Sequence, residues 1–159
     1  MSPQSAPGAS AMQVRTIAAS DEALVPMFME AMNEGHRFMA RLQNEWVSGA
    51  NRFAHDGECF LGVFQGETPI AIGGLNRDPY DLRRGIGRIR HVYVAAARRR
   101  SGVGAKLVRT LSAKAVPTFQ VLRLRAASLE AASFYTRLGF TPVTDASATH
   151  ILRLTDTEE

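Results

Sequence analysis

The chain is short of the groups that staple or metallate small proteins. Its 159 residues include a single cysteine, Cys59, which excludes an internal disulfide and a cysteine-based zinc cluster. The four histidines, His36, His55, His91 and His150, show no metal-ligand spacing, so no metal is expected, and the lone thiol suits a reducing cytoplasm. No run approaches the roughly 18 apolar residues of a membrane span. Met1 to Ala11 has neither the basic start nor the apolar stretch of a signal peptide, which predicts a protein neither inserted nor exported. Acids are also in the minority. Fifteen Asp+Glu face 19 Lys+Arg, a net charge of +4, which points to an anionic partner without saying which. What is present is an ordinary core: 45% of residues are hydrophobic, and a chain of about 150 residues buries about 68–70% of its unfolded surface. That is one domain, with no room for a second.

Met1 to Ala11, MSPQSAPGASA, has no apolar period and reads as a flexible leader. Met12 to Ala18 alternates as a first strand, and Ser20 before Asp21 and Glu22 is an N-cap signal for a helix running to Gly35. Phe38, Leu42 and Trp46 mark a second helix ending near Gly49. Glu58 to Gln65 and Thr68 to Leu75 are apolar runs joined by Gly66-Glu67, an antiparallel hairpin, and Asn76 to Gly85 reads as a loop. Arg88 to Ala95 is a third strand of the sheet. From Val103 the period becomes helical, through Leu107, Leu111 and Ala115 to Pro117. Val121 to Ala126 is a strand, Leu129 to Leu138 a helix closed by Gly139, and Gly139 to Thr144 and Ala148 to Leu154 are closing strands. The class is α/β with a mixed sheet, and the central strand–helix–strand unit predicts a right-handed parallel crossover.

The most informative stretch follows the third strand of the sheet. After Val92-Tyr93-Val94 comes the basic loop Arg98-Arg99-Arg100-Ser101, then Gly102-Val103-Gly104 opening a helix. Backbone N–H groups converge there at the positive end of a helix dipole, which cradles phosphate. A Cβ at Gly102 or Gly104 would hold a diphosphate away from those amides. Other glycine motifs fail on spacing. Gly104 is followed by Ala105 rather than the lysine of a nucleotide P-loop, and Leu107 stands where a dinucleotide fold needs its third glycine.

Two motifs in this order resemble the GNAT superfamily of acetyl-CoA-dependent N-acetyltransferases. The first, [Q/R]-x-x-G-x-[G/A] behind a hydrophobic strand, is matched by Arg99-x-x-Gly102-x-Gly104. The second, N-x-x-A-x-x-[F/L]-Y-x-[K/R]-x-G-F, is matched from Ser128 to Phe140, with Ser128 in place of the leading asparagine. The resemblance implies an N-acetyltransferase domain over 12–159, with a central sheet splayed between two parallel strands and flanking helices. It implies acetyl-CoA as co-substrate, a small-molecule amine as partner, no membrane, and leaves room for a homodimer. Val92, Tyr93 and Val94 would line the pantetheine arm, and Arg99, Arg100, Ser101, Gly102, Val103, Gly104 and Ala105 would hold the pyrophosphate. Ser128, Phe134 and Arg137 would complete the cofactor contact.

Acetyl transfer from a thioester to an amine needs a neutral amine, a donor for the oxyanion and relief of charge on the leaving thiolate. Tyr135 matches the family's general acid. Reference pKa values of about 10 for tyrosine and 8.5 for a thiol make complete proton transfer uphill by roughly 2 kcal/mol. A backbone N–H between Val92 and Val94 is the natural oxyanion donor. Relatives place a basic Glu or His where this chain has Arg88 and Arg90, and arginine accepts no proton. His91, His150, Asp78, Tyr80, Glu34 or a water chain are the alternatives for the base. His91 serves only where a bulge turns it toward the substrate. The early helices and the loop after the hairpin wall the acceptor site, with Asn76, Arg88, Arg90 and His150 as candidate contacts; the methionines at helical spacing are first of all core. Arg88 and Arg90 favour an amine bearing an acidic group, such as an amino-acid-like metabolite. The N-terminus of a protein or peptide is an alternative acceptor. A nucleic-acid-binding module using the Arg83 to Arg100 patch is disfavoured, since Tyr93 stands nearly alone among those arginines as a stacking group.

Overall fold

A computed structural model describes residues 12–154; the leader and residues 155–159 lie outside them. Strand β1 (Met12–Thr16) leads through a 3-10 turn (Glu22–Leu24) into helix α1 (Val25–Asn33) and helix α2 (Phe38–Ser48). The hairpin β2 (Cys59–Gln65) and β3 (Thr68–Arg77) is followed by β4 (Ile86–Val94), helix α3 (Val103–Ala115), β5 (Val121–Leu124), helix α4 (Leu129–Arg137), β6 (Thr141–Pro142) and β7 (His150–Arg153). The element order is the one read from the sequence. Boundaries moved where side chains had other work. The cap before α1 is Asp21 rather than Ser20, because the Asp21 carboxylate accepts the Ala23 N–H at 2.9 Å. Asn76 and Arg77 continue β3 rather than opening a loop, paired with Arg88 and Gly87.

The seven strands form one sheet in the order β1-β2-β3-β4-β5-β7-β6, and β4–β5 is its parallel pair. That pair brings Ile86, Gly87 and Arg88 against Val121, Leu122 and Arg123, and goes no further. Past Arg88, β4 runs on beside β3 with no strand on its other side, so the sheet splays at its centre. On one face α3 and α4 bury Leu107, Leu111 and Tyr135 against Ile89, Leu122 and Leu124. On the other, α1 and α2 bury Phe28, Met39 and Leu42 against Phe60, Ile72 and Tyr93. The methionines divide: Met27 and Met39 are core, whereas Met29 and Met32 are exposed.

Strand β4 changes phase where it matters. Ile72 faces Tyr93 and Gly74 faces Arg90, so His91 and Val92 together oppose Gly73, which is a β-bulge. His91 takes the left-handed conformation, φ 61°, a strained choice for a residue with a side chain. Before the bulge, Arg88 and Arg90 lie on the α1–α2 face and Ile89 lies in the α3–α4 core. After it, Tyr93 lies on the α1–α2 face and Val92 and Val94 pack toward α3 and α4.

Candidate active site

The free edge of β4 and the start of α3 form one groove. Ala95 donates its N–H to Ile70 O on the β3 side at 2.9 Å, so by strand alternation the peptide groups of Val94 face the splay. Part of that edge is already used: Arg99 Nε donates to Val94 O at 3.0 Å, and Arg99 Nη2 lies 2.7 Å from Glu34 Oε1. The Arg99 side chain is therefore held by the protein's own acceptors. Its bond to Glu34 is the main reason the Glu34 carboxyl lies below the usual range. The Tyr93 ring turns toward α1, where its hydroxyl is shared between Glu30 at 2.7 Å and Glu34 at 2.8 Å. Burial, then these carboxylates, push the phenol's pKa up. Only the backbone of Tyr93 is near the groove.

Helix α3 begins at Gly102, φ 88°, with no side-chain cap, so the first-turn N–H groups are unspent and fit an anion. Gly102 is glycine for its left-handed backbone; a Cβ there would meet open space. Gly104 serves packing instead. A Cβ on it would come within 3.3 Å of both Phe134 Cζ and Val94 Cγ2, so the missing side chain lets α4 close onto β4. Ser101 and Arg100 are exposed on the same loop, and Arg137 is exposed in the last turn of α4. The Ser128 hydroxyl caps α4 by accepting the Ala131 N–H at 3.0 Å, which leaves its own proton and a second lone pair for a ligand.

Tyr135 is 7% exposed, edge-on to Phe134 and Phe140, and burial raises its phenol above the ordinary value. Its hydroxyl makes no hydrogen bond to the described residues. A phenol held so firmly protonated is a donor and never a base.

On the α1–α2 face the splay opens into a cleft of about 580 Å³, lined by Arg37, Phe38, Arg41, Tyr80, Arg88, Ile89, Arg90, His91, Arg125, Ala146 and Ser147. Five arginines line it and no acid does. Sequence reasoning named Arg88 and Arg90 but missed Arg37 and Arg41, at the start of α2, and Arg125, just after β5. Beneath the cleft lies a buried ion network: Asp78, 0% exposed, takes Arg88 at 3.3 Å and Arg123 at 3.0 Å on one oxygen. Arg123 also reaches Asp145 at 2.9 Å and Ser147 Oγ at 2.7 Å, while Arg88 donates to Ser147 O at 2.7 Å and lies over the Tyr80 ring.

Two candidate substrate residues are not in this cleft. His150 is buried with its ring nitrogens against Thr149 Oγ1, 2.8 Å, and Thr136 Oγ1, 3.3 Å. Asn76 is buried in β3 and does not line the cleft. His91 does line it, turned there by the bulge, yet its ring packs against Phe38 and Phe53 with both nitrogens buried and unbonded. Of the arginines between 83 and 100, Arg88 is buried, Arg90 lies 3.7 Å from Glu45 and Arg99 is engaged by Glu34, whereas Arg83, Arg84 and Arg100 are exposed. No helix of the described residues is long and apolar enough to cross a membrane, and no cluster of metal-ligating side chains occurs among them.

Comparison with known proteins agrees with this geometry. No curated protein matches the chain. Among solved structures, a protein named as an acetyltransferase from Exiguobacterium sp. 255-15 is 26% identical over 90% of this chain and 93% of its own, with a TM-score of 0.77. Two others share the fold: a GNAT-family acetyltransferase from Staphylococcus aureus Mu50 (14% identity, 91% and 100% coverage, TM-score 0.70) and a protein named as an acyl-CoA N-acyltransferase from Klebsiella pneumoniae subsp. pneumoniae MGH 78578 (19%, 91% and 98%, 0.64). Residues 56–142, from the start of the hairpin through α4 to β6, match the acetyltransferase (GNAT) domain, and with more than half its length in that match the chain belongs to the GNAT acetyltransferase family.

Proposed function

We propose that the enzyme moves the acetyl group of acetyl-CoA to a primary amine on a small acceptor bearing an acidic group, such as an amino-acid-like metabolite. The observation that carries this reading is the cleft, with five guanidiniums and no carboxylate among its lining side chains. Such walls attract a carboxylate and repel a polyamine or an aminoglycoside. Acetyl-CoA supplies the activated acetyl group and the thiol leaving group. Val92 and Val94 would hold it through backbone groups, Arg99 to Ala105 through the loop and the uncapped α3 start, and Ser128, Phe134 and Arg137 at the flank. The free thiol of Cys59 suits a reducing cytoplasm.

Within that arrangement the Val92 N–H faces the charge that develops on the acetyl oxygen. Tyr135 Oη donates a hydrogen bond as charge gathers on sulfur. Its raised pKa makes complete transfer dearer than the roughly 2 kcal/mol of the reference values, so the proton stays on the tyrosine oxygen. Among the described residues every side-chain candidate for the amine's proton has another engagement; the Tyr80 hydroxyl, in the cleft wall, lies 3.5 Å from Arg41. Asp78 is held by two arginines, Glu34 by Arg99 and Tyr93, His150 by two threonines, and the nitrogens of His91 are buried. The amine therefore reacts from its neutral fraction and releases its proton to water. Reaching that form at pH 7 costs about 1–1.4 kcal/mol for an α-amine of pKa 7.7–8.0 but roughly 4.6 kcal/mol for a lysine-like amine. The surrounding arginines disfavour the ammonium further. An acetyl-CoA turnover screen of amino acids, polyamines, aminoglycosides and short peptides tests this reading. A polyamine or aminoglycoside with kcat/KM far above every carboxylated amine refutes it.

A further inference from the structure

The arginines of the cleft are not equivalent. Arg88 shares Asp78 with Arg123, Arg123 also faces Asp145 at 2.9 Å and Asp81 at 3.8 Å, and Arg83 holds Asp81 at 2.6 Å, so these three arginines and three aspartates are paired among themselves. Arg90 has Glu45 at 3.7 Å. The Arg37 side chain makes no hydrogen bond or ion pair among the described residues. Arg41 reaches only the Tyr80 hydroxyl, at 3.5 Å, and Arg125 donates only to the carbonyl of Ala146. Three guanidiniums thus face the cleft without an acid, and they come from opposite walls: Arg37 and Arg41 stand one turn apart at the start of α2, and Arg125 follows β5 beside the 145–147 loop. One carboxylate occupies one guanidinium fork, and an acceptor with a single acid leaves the other wall uncompensated.

We infer that the acceptor carries two separated anionic groups, one held by Arg37 and Arg41 and the other by Arg125, with its amine between them over Arg90 and the bulge at His91. The inference rests on the proposed acetyl transfer for the role of the amine, but not for the binding of the anions. It names a substrate class: dianionic primary amines, in which the second anion is a carboxylate or a phosphate. The two anions bring the amine in, and Arg90 between them keeps it from holding a proton.

Two measurements test it. The first is turnover of matched amines that differ by one anion: aspartate and asparagine, glutamate and glutamine, O-phosphoserine and serine. The expected result is a kcat/KM at least about 10-fold higher for one dianion than for its partner, the scale of one charge-assisted pair, and the better dianion tells carboxylate from phosphate. Arg125→Gln is expected to remove that preference. The second is calorimetric binding of glutarate and butyrate, which have no amine and cannot be acetylated. Glutarate is expected to bind at least about 10-fold more tightly, and Arg125→Gln and Arg41→Gln each to abolish the difference. Equal binding of the two acids, a difference that survives both variants, or mono-anionic amines turned over as well as their dianionic partners in all three pairs overturns the inference. Arginine-dependent glutarate binding in a protein that acetylates no amine overturns the proposed acceptor chemistry while leaving the dianion site standing.

Discussion

Lowering the pH from 6.5 to 4.5 is expected to weaken the fold through His91. Its imidazole lies in the bulge of β4, stacked on Phe38 at 5.7 Å between ring centroids and edge-on to Phe53 at 6.2 Å, with neither nitrogen hydrogen-bonded. Burial, then the nearby guanidiniums of Arg90 and Arg41, bring its pKa down from 6.5 to about 3. The folded protein therefore keeps this ring neutral where the unfolded chain has taken up a proton. Stability is full above pH 6.5 and falls as the pH drops toward 3, because the unfolded state binds the extra proton. One proton of difference is worth about 1.4 kcal/mol per pH unit, and because the unfolded chain already holds half a proton on this ring at pH 6.5, the drop to pH 4.5 removes roughly 2 kcal/mol. That is a large part of the 5–15 kcal/mol typical of a domain. The depressed carboxylates Glu34, Asp81 and Asp145 act lower, since their contribution begins to be lost only near the unfolded carboxylate values of about 4. Urea unfolding at half-unit pH steps measures the slope, and His91→Leu supplies the comparison. The absolute stability of that variant is not the readout. A midpoint that stays flat between pH 6.5 and 4.5, or a slope that persists unchanged in His91→Leu, refutes the reasoning.

Tyr135→Phe is expected to lower kcat on the order of 10- to 1,000-fold, at or below the range of a general acid, with acetyl-CoA affinity unchanged; an unaltered kcat with chemistry rate-limiting makes Tyr135 a packing residue. Ser101→Glu places a carboxylate on the exposed loop before the uncapped start of α3, and calorimetry is expected to show acetyl-CoA binding weakened on the order of 10-fold, with the melting temperature of the free enzyme kept. Unchanged affinity moves the pyrophosphate elsewhere. Asp78→Asn leaves Arg88 and Arg123, 6% and 5% exposed, without their shared carboxylate, a loss of about 3–5 kcal/mol by chemical denaturation; a loss under about 1 kcal/mol shows the network to be incidental.

The order of elements was legible in the sequence because it rests on local signals. Helical and strand periods, the Gly66-Glu67 connection, the paired glycines and the α4 motif each lie within a few residues of one another. What depends on register was not legible. Arg88 and Arg90 point to an acceptor site, but their companions Arg37, Arg41 and Arg125 are distant in the chain and meet only because α2 and β5 flank the splay. Ser128 matched a cofactor contact in the motif, and it also reads as a helix cap, the role its side chain fills. The bulge is the clearest case. Strict alternation from Arg88 would carry Val92 and Val94 to the same face as Arg88 and Arg90 and turn His91 into the opposite core. One extra residue opposite Gly73 reverses that: the arginines stay in the acceptor cleft, His91 joins them, and Val92 and Val94 pack toward α3 and Phe134. In the proposed reading a single strand thus serves both halves of the site, its arginines toward the amine before the bulge and its free backbone toward the cofactor after it. The strained φ of His91 is the cost of bringing the two within one strand's length.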